Sequence, residues 1–144
     1  MKILVINGPN LNMLEKRNSQ QYGELSLVEI ENTISTKFPE HIFRFYQSNH
    51  EGEIIDLIHF SEEEYDGIII NPGGYAHTSI AIRDALEIVK IPKIEVHLSN
   101  LSKREDFRQK LVTASACNGY ISGFKENGYL AAVFLIEEIL KDVI

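Results

Sequence analysis

The runs "ILVI" (3–6) and "IIIN" (68–71) constrain this chain more than anything else in it. Successive side chains of a strand point to opposite faces, so a run without polar interruption is apolar on both. Such strands need cover on each side, which is the condition of a parallel sheet between two layers of helices. Five segments read as strands: "KILVIN" (2–7), "IFRFYQ" (42–47), "GIIIN" (67–71), "KIEVHL" (93–98) and "GYISG" (119–123). Segments of helical spacing lie between them, over 26–38, 53–64, 78–89 and 103–110, and a last one over 127–142 closes the chain. Ser26 and Glu29 have capping-box spacing and mark the first helix start. This alternation, with right-handed crossovers, predicts an α/β fold built as a three-layer, doubly wound, five-stranded parallel sheet. No repeat, low-complexity tract or linker divides the chain, and 144 residues suit a single domain over 1–144.

Several function classes are disfavoured at once. A formal net charge of -7 argues against a general binder of nucleic acid or anionic membranes. The single Cys117 excludes an internal disulfide and fits a reducing compartment. The apolar start is too short for a signal-peptide core and no run approaches a membrane span, so the expected location is the cytoplasm. Neither phosphate-loop pattern occurs, nor a G-x-S-x-G elbow, nor zinc-ligand spacing among the histidines and the cysteine. An aspartyl-phosphate receiver would want acidic residues where this chain has Asn7 and Asn71. No metal and no cofactor is expected.

In doubly wound sheets ligands bind outside the carboxyl ends of the strands. That rule selects "NGPN" (7–10), "NPGGYAH" (71–77) and "HLSN" (97–100). Glu95 and His97, two apart on one strand, face the same way. The bland reading is an edge strand with a polar face in water. The functional reading is a carboxylate that orients an imidazole and keeps it able to donate a proton near neutrality. Ser99 and Asn100 add donors for a small anion, and Asn71 can hydrogen-bond hydroxyls. His77 sits at an expected helix N-terminus, where the dipole favours a neutral hydrogen-bonding ring. Arg104 and Arg108 are spaced to share a helix face, and one of them can clamp a carboxylate. For Arg83 and Asp84 a surface pair is the default. Residues 8–25 show no sustained period and far exceed the usual βα loop of about 2–6 residues. They read as a lid or binding loop, or else as disorder. The loop holds Arg17 and Tyr22, and a cation beside a tyrosine favours tyrosinate, a candidate base.

These residues together closely resemble the type II 3-dehydroquinases of the shikimate pathway. The resemblance runs in order through "ILVINGPNLNMLEKRNSQQYG", "NPGGYAHTSIAIRDA", "IEVHLSNLSKREDFR" and "GYISGFKENGYLAA", essentially the whole chain. Ala76 and the polar "KEN" (125–127) depart from the usual pattern. The resemblance implies a flavodoxin-like fold and cofactor-independent dehydration of 3-dehydroquinate. It implies that Tyr22 removes the proton beside the ketone, that Arg17 favours tyrosinate, and that Asn10 stabilises the enolate through an ordered water. His97 would protonate the leaving hydroxyl, with Glu95 holding the ring. Asn71, His77, Leu98, Ser99 and Arg108 match substrate-binding positions, Asp84 one that reaches a neighbouring subunit's site, and Arg104 a position beside the active site. The family's assembly is a homo-oligomer of trimers stacked into dodecamers. Beside this stands a reading from another class: a flavodoxin-like module that binds a small ligand without turnover, and so needs no tyrosine base.

Overall fold

The computed structural model describes residues 1–143. β1 (Lys2–Asn7), β2 (Ile42–Gln47), β3 (Gly67–Asn71), β4 (Lys93–His97) and β5 (Gly119–Ser122) form one parallel sheet in the order β2-β1-β3-β4-β5. The helical segments are α1 (Ser19–Tyr22), α2 (Leu27–Lys37), α3 (Glu51–His59), α4 (Ser61–Glu64), α5 (Ile80–Ile88) and α6 (Asn127–Asp142). This is the three-layer α/β fold that the alternating pattern predicts, and the flavodoxin-like fold that the resemblance implies. Among the described residues no helix is long and apolar enough to cross a membrane.

The unbroken apolar runs are explained by the two faces they serve. Ile3, Val5, Ile69, Ile94 and Val96 pack with Ile30 and Ile34 of α2 and with Ala132, Val133 and Ile136 of α6. Leu4, Ile6, Ile68 and Ile70 face the opposite way, onto Ile54 and Ile58 of α3 and Ile82 and Leu86 of α5. Each such fully buried aliphatic side chain contributes about 1.5–3 kcal/mol. Ser26 caps α2 by accepting from the Glu29 N–H at 3.1 Å, and Glu29 reaches back to the Ser26 N–H, so the capping box is complete. Ser79 caps α5 in the same manner, accepting from the Ile82 N–H at 3.0 Å.

Three sequence expectations need correction. No helix spans 103–110. The chain makes two short 3-10 turns, Leu101–Lys103 and Asp106–Arg108, with Arg104 extended between them (φ -100, ψ -178). The Gln109 side-chain amide donates to the carbonyls of Leu101 and Arg104, at 2.6 and 3.1 Å, replacing bonds a helix would take from its backbone. The helix expected over 53–64 is divided into α3 and α4 at Phe60, where the Ser61 hydroxyl donates to the Ile58 carbonyl at 2.7 Å. The edge-strand reading of "KIEVH" also fails, because β4 lies between β3 and β5 and Glu95 is fully buried.

The sheet order reverses direction at β1, whose neighbours β2 and β3 lead to opposite edges. That switch point opens a crevice between the turns that follow β1 and β3. The turns interlock. The Gly8 N–H donates to the Asn71 carbonyl at 2.8 Å. A Cβ on Gly8 would lie 2.4 Å from the Pro72 carbonyl oxygen. One on Gly73, at φ 62, would lie 2.9 Å from the Pro9 carbonyl oxygen. Beneath them Tyr129 of α6 donates to Asn7 Oδ1 at 2.5 Å and accepts from Asn71 Nδ2 at 3.1 Å, tying the two strand ends together.

Candidate active site

Residues 8–25 are an ordered loop. Leu11 and Leu14, in a 3-10 segment over Leu11–Lys16, are buried in the cluster that α2 and α6 share. With these anchors the loop carries Arg17 and Tyr22 over the carboxyl ends of the strands. Asn18 caps α1 by accepting from the Gln20 N–H at 2.9 Å, which sets the turn that presents Tyr22. Asn10 begins the loop in the left-handed region (φ 70), with its N–H donating to Asn49 Oδ1 at 3.0 Å. Asparagine tolerates that conformation better than most residues.

A cavity lies there, lined by Asn10, Arg17, Tyr22, Asn71, His77, His97, Leu98, Ser99, Arg104 and Arg108, among others. Ten of the residues singled out in the sequence thus meet at one place. Glu95 stands behind His97 rather than in the lining, and Asp84 lies outside the cavity, exposed and paired with Arg83 at 3.3 Å. A larger groove runs beside β2, α3 and α4. Its described lining has no imidazole or guanidinium, so it offers no acid near neutrality.

Two pairs face the cavity. The first is Arg17 and Tyr22: the guanidinium donates Nη2–H to the phenol oxygen at 2.5 Å, and its carbon lies 3.8 Å from the ring centroid. A cation so placed stabilises the charge that appears when the phenol gives up its proton. Arg104 adds a second guanidinium 5.2 Å from the same ring. Burial holds Arg17 below its ordinary value, with repulsion from Arg108 and Arg104 adding to it and the attraction of Tyr22 opposing it. The second pair is His97 and Glu95, with His97 Nε2 2.7 Å from Glu95 Oε2. Glu95 is fully buried and His97 nearly so. The other carboxylate oxygen accepts from the hydroxyl of Thr113, itself fully buried. A buried carboxylate with a donor on each oxygen holds the imidazole in one orientation.

His77 lies 6.2 Å from His97, ring centre to ring centre, and its Nδ1 is 2.9 Å from the Lys110 carbonyl. The carbonyl must accept, so Nδ1 carries the proton. Burial pushes the His77 ring below its ordinary value, and His97 and Arg108 push the same way. That direction is the one expected from sequence for His77, for a different reason. His77 ends the 3-10 turn Gly73–His77, before the Ser79 cap, so burial rather than a helix N-terminus is the cause.

The rest of the charged lining is positive. Three guanidiniums line the cavity and no carboxylate does among the described residues. Arg104 donates from Nη1 to the Ser99 hydroxyl at 2.9 Å, while its Nε is buried with no partner among the described residues. Arg108 is held by Glu105 at 2.5 Å, and that bond keeps the Glu105 carboxyl below its usual range. Sequence reasoning missed three supports: Thr113 behind Glu95, and the Asn7–Tyr129 pair that aims Asn71. Burial pushes the Tyr129 phenol up, so it serves as a neutral hydrogen-bonding strut.

The comparisons agree with one another. The family model described as "Dehydroquinase class II" matches residues 1–137. The chain is 56% identical to the 3-dehydroquinate dehydratase of Carboxydothermus hydrogenoformans, over 98% of this chain and 93% of the relative. It is 53% identical to that of Clostridium perfringens, over 98% and 100%. Among solved structures, the type II dehydroquinase of Butyrivibrio crossotus superposes with a TM-score of 0.92 at 48% identity, covering 95% of this chain and 97% of that one. That of Propionibacterium acnes superposes with a TM-score of 0.88 at 34% identity, covering 94% and 96%. Matched along nearly its whole length in both sequence and fold, the chain belongs to the class II dehydroquinase family.

Proposed function

We propose that the cavity dehydrates 3-dehydroquinate, the reaction its relatives are named for, by a base and an acid on opposite sides of the substrate. The observation that carries this reading is the meeting of the Arg17–Tyr22 and Glu95–His97 pairs at one cavity whose remaining charged lining is Arg104 and Arg108. Tyr22, as phenolate beside Arg17, takes the proton from the carbon next to the ketone. The electron pair moves onto the carbonyl oxygen as an enolate, which Asn10 stabilises through a water. When the enolate collapses, the β-hydroxyl leaves, and His97 gives it the proton that makes it water. A proton then passes from Tyr22 back to His97 through solvent, and the enzyme is restored. The ketone itself acidifies the C–H bond, so the step needs neither a metal nor an electron sink.

In this reading Leu98, Ser99 and Arg108 hold the carboxylate and hydroxyl side of the substrate, with Asn71 and neutral His77 on the remaining hydroxyls. Arg104 supports the carboxylate through Ser99. Asp84, exposed on its own chain, reaches a substrate only across a subunit boundary, so assembly into trimers and then dodecamers belongs to the same proposal. Turnover is read as the ultraviolet absorbance of the conjugated ketone product. Tyr22→Phe should fold normally and lose roughly two to four orders of magnitude in kcat. A folded Tyr22→Phe protein with full activity would end this mechanism.

A further inference from the structure

Lys125 adopts a left-handed backbone conformation at φ 52, which costs any residue with a side chain free energy that glycine avoids. Among the described residues Asn10 is the one other non-glycine so placed, and it lines the active site. Such conformations persist only where the surroundings enforce them. Lys125 is enforced from the strand side. Its N–H donates to the Leu98 carbonyl at 3.0 Å, just beyond β4. Gly123, at φ 100, lies so close to Asn100 that a Cβ there would be 2.9 Å from the Asn100 Cβ.

The side chain points the other way, to the catalytic loop. Gly23, at φ 89, follows Tyr22 directly. A Cβ on Gly23 would meet Lys125 Cδ and Glu126 Oε2 at 3.4 Å and Lys125 Cβ at 3.5 Å. The turn after β5 thus touches both rims of the active site, the substrate-facing end of β4 and the residue after the tyrosine. Gln20 and Gln21 of α1 line a hollow together with Lys103, Arg104 and Lys125, which extends the same seam.

We propose that Lys125 is a positioning residue for Tyr22. Its aliphatic stem, aimed by a strained backbone, is the seat against which Gly23 closes and which fixes the approach of the phenol to substrate. The inference rests on Tyr22 being the base. Lys125→Gly separates this role from a structural one, because it removes the strain and the stem together. The melting temperature should equal or exceed that of the parent, while kcat falls about three- to tenfold with KM nearly unchanged, as misplacement of a catalytic group demands. Tryptic cleavage after Lys16 and Arg17 should quicken by a similar factor. Lys125→Met keeps the stem without the charge and should retain parental kcat and cleavage rate. Parental kcat and cleavage in Lys125→Gly would overturn the proposal, and so would a Lys125→Met protein as impaired as Lys125→Gly. Cleavage and melting need no turnover, so failure of the dehydratase reading is told apart by Tyr22→Phe alone.

Discussion

Thr113→Val removes one hydroxyl and leaves the volume of the side chain nearly unchanged, which makes it a clean probe of the proposed acid, His97. In the parent protein Glu95 has two donors, the Thr113 hydroxyl on one oxygen and His97 Nε2 on the other. Neither Thr113 nor Glu95 has exposed surface, so water cannot replace the lost donor. A buried carboxylate short of one partner costs about 1–3 kcal/mol. For a chain of this length that lowers Tm by roughly 3–10 °C. The larger effect is expected in turnover. With one oxygen released, the carboxylate rotates and the imidazole follows, and misplacing an acid by a fraction of an ångström costs about ten- to a hundredfold in kcat. KM should change little, because Thr113 does not line the cavity. Product absorbance gives the rates and a thermal melt the stability. Thr113→Ser restores the hydroxyl and should recover both. Parental kcat and Tm in Thr113→Val would refute the two-donor account, and failure of Thr113→Ser to rescue would show that the hydroxyl is not the cause.

Other outcomes follow from the same geometry. Burial depresses His77 below the ordinary histidine value of 6.5, so the unfolded chain takes up a proton there that the folded one resists. Its contribution to stability is whole above that value and is lost as pH falls below it; His77→Gln, which does not titrate, should lose less Tm than the parent between about pH 7 and pH 5. Burial pushes the Cys117 thiol up to about 12, so a chromogenic disulfide should label it slowly in the native protein and at once in urea; fast native labelling would contradict that environment. No lysine lines the cavity among the described residues, so borohydride added with substrate should leave activity intact; mass added to a lysine would indicate Schiff-base chemistry instead. If Asp84 serves a neighbouring site, sedimentation should find activity only in the oligomer, and a fully active monomer would remove it from the mechanism.

The sheet was readable because both faces of its central strands are buried, which removes every polar side chain from "ILVI" and "III". The lining of the cavity was readable in part because its residues gather at strand ends, where topology alone directs attention. What stayed hidden has a common character. The spacing of Arg104 and Arg108 matches a helix, but the side chain of Gln109 caps carbonyls that a helix would use. Both arginines reach the cavity all the same, from separate turns. Thr113 sits in "LVTASA", where nothing local separates it from any other threonine; its significance comes from Glu95, on a different segment. Tyr129 reads as one more apolar position on α6, and only the positions of Asn7 and Asn71 reveal a strut. Long-range side-chain hydrogen bonds leave no period in a sequence.

The interlocked turns after β1 and β3 bear on how such enzymes can be recombined. Gly8 leaves room for Pro72, and Gly73 leaves room for Pro9, so each turn is shaped as the mould of the other. A chimaera joined anywhere between residues 10 and 71 takes its two turns from different parents. Even a parent of the same fold whose second turn runs a fraction of an ångström higher would press the Pro72 carbonyl onto Gly8 and Gly73 onto the Pro9 carbonyl. Crossovers placed after the second turn keep the pair from one parent, provided the incoming α6 brings the Tyr129 hydroxyl that ties Asn7 to Asn71. The unit of inheritance for this active site is thus a matched pair of turns that lie far apart in the chain.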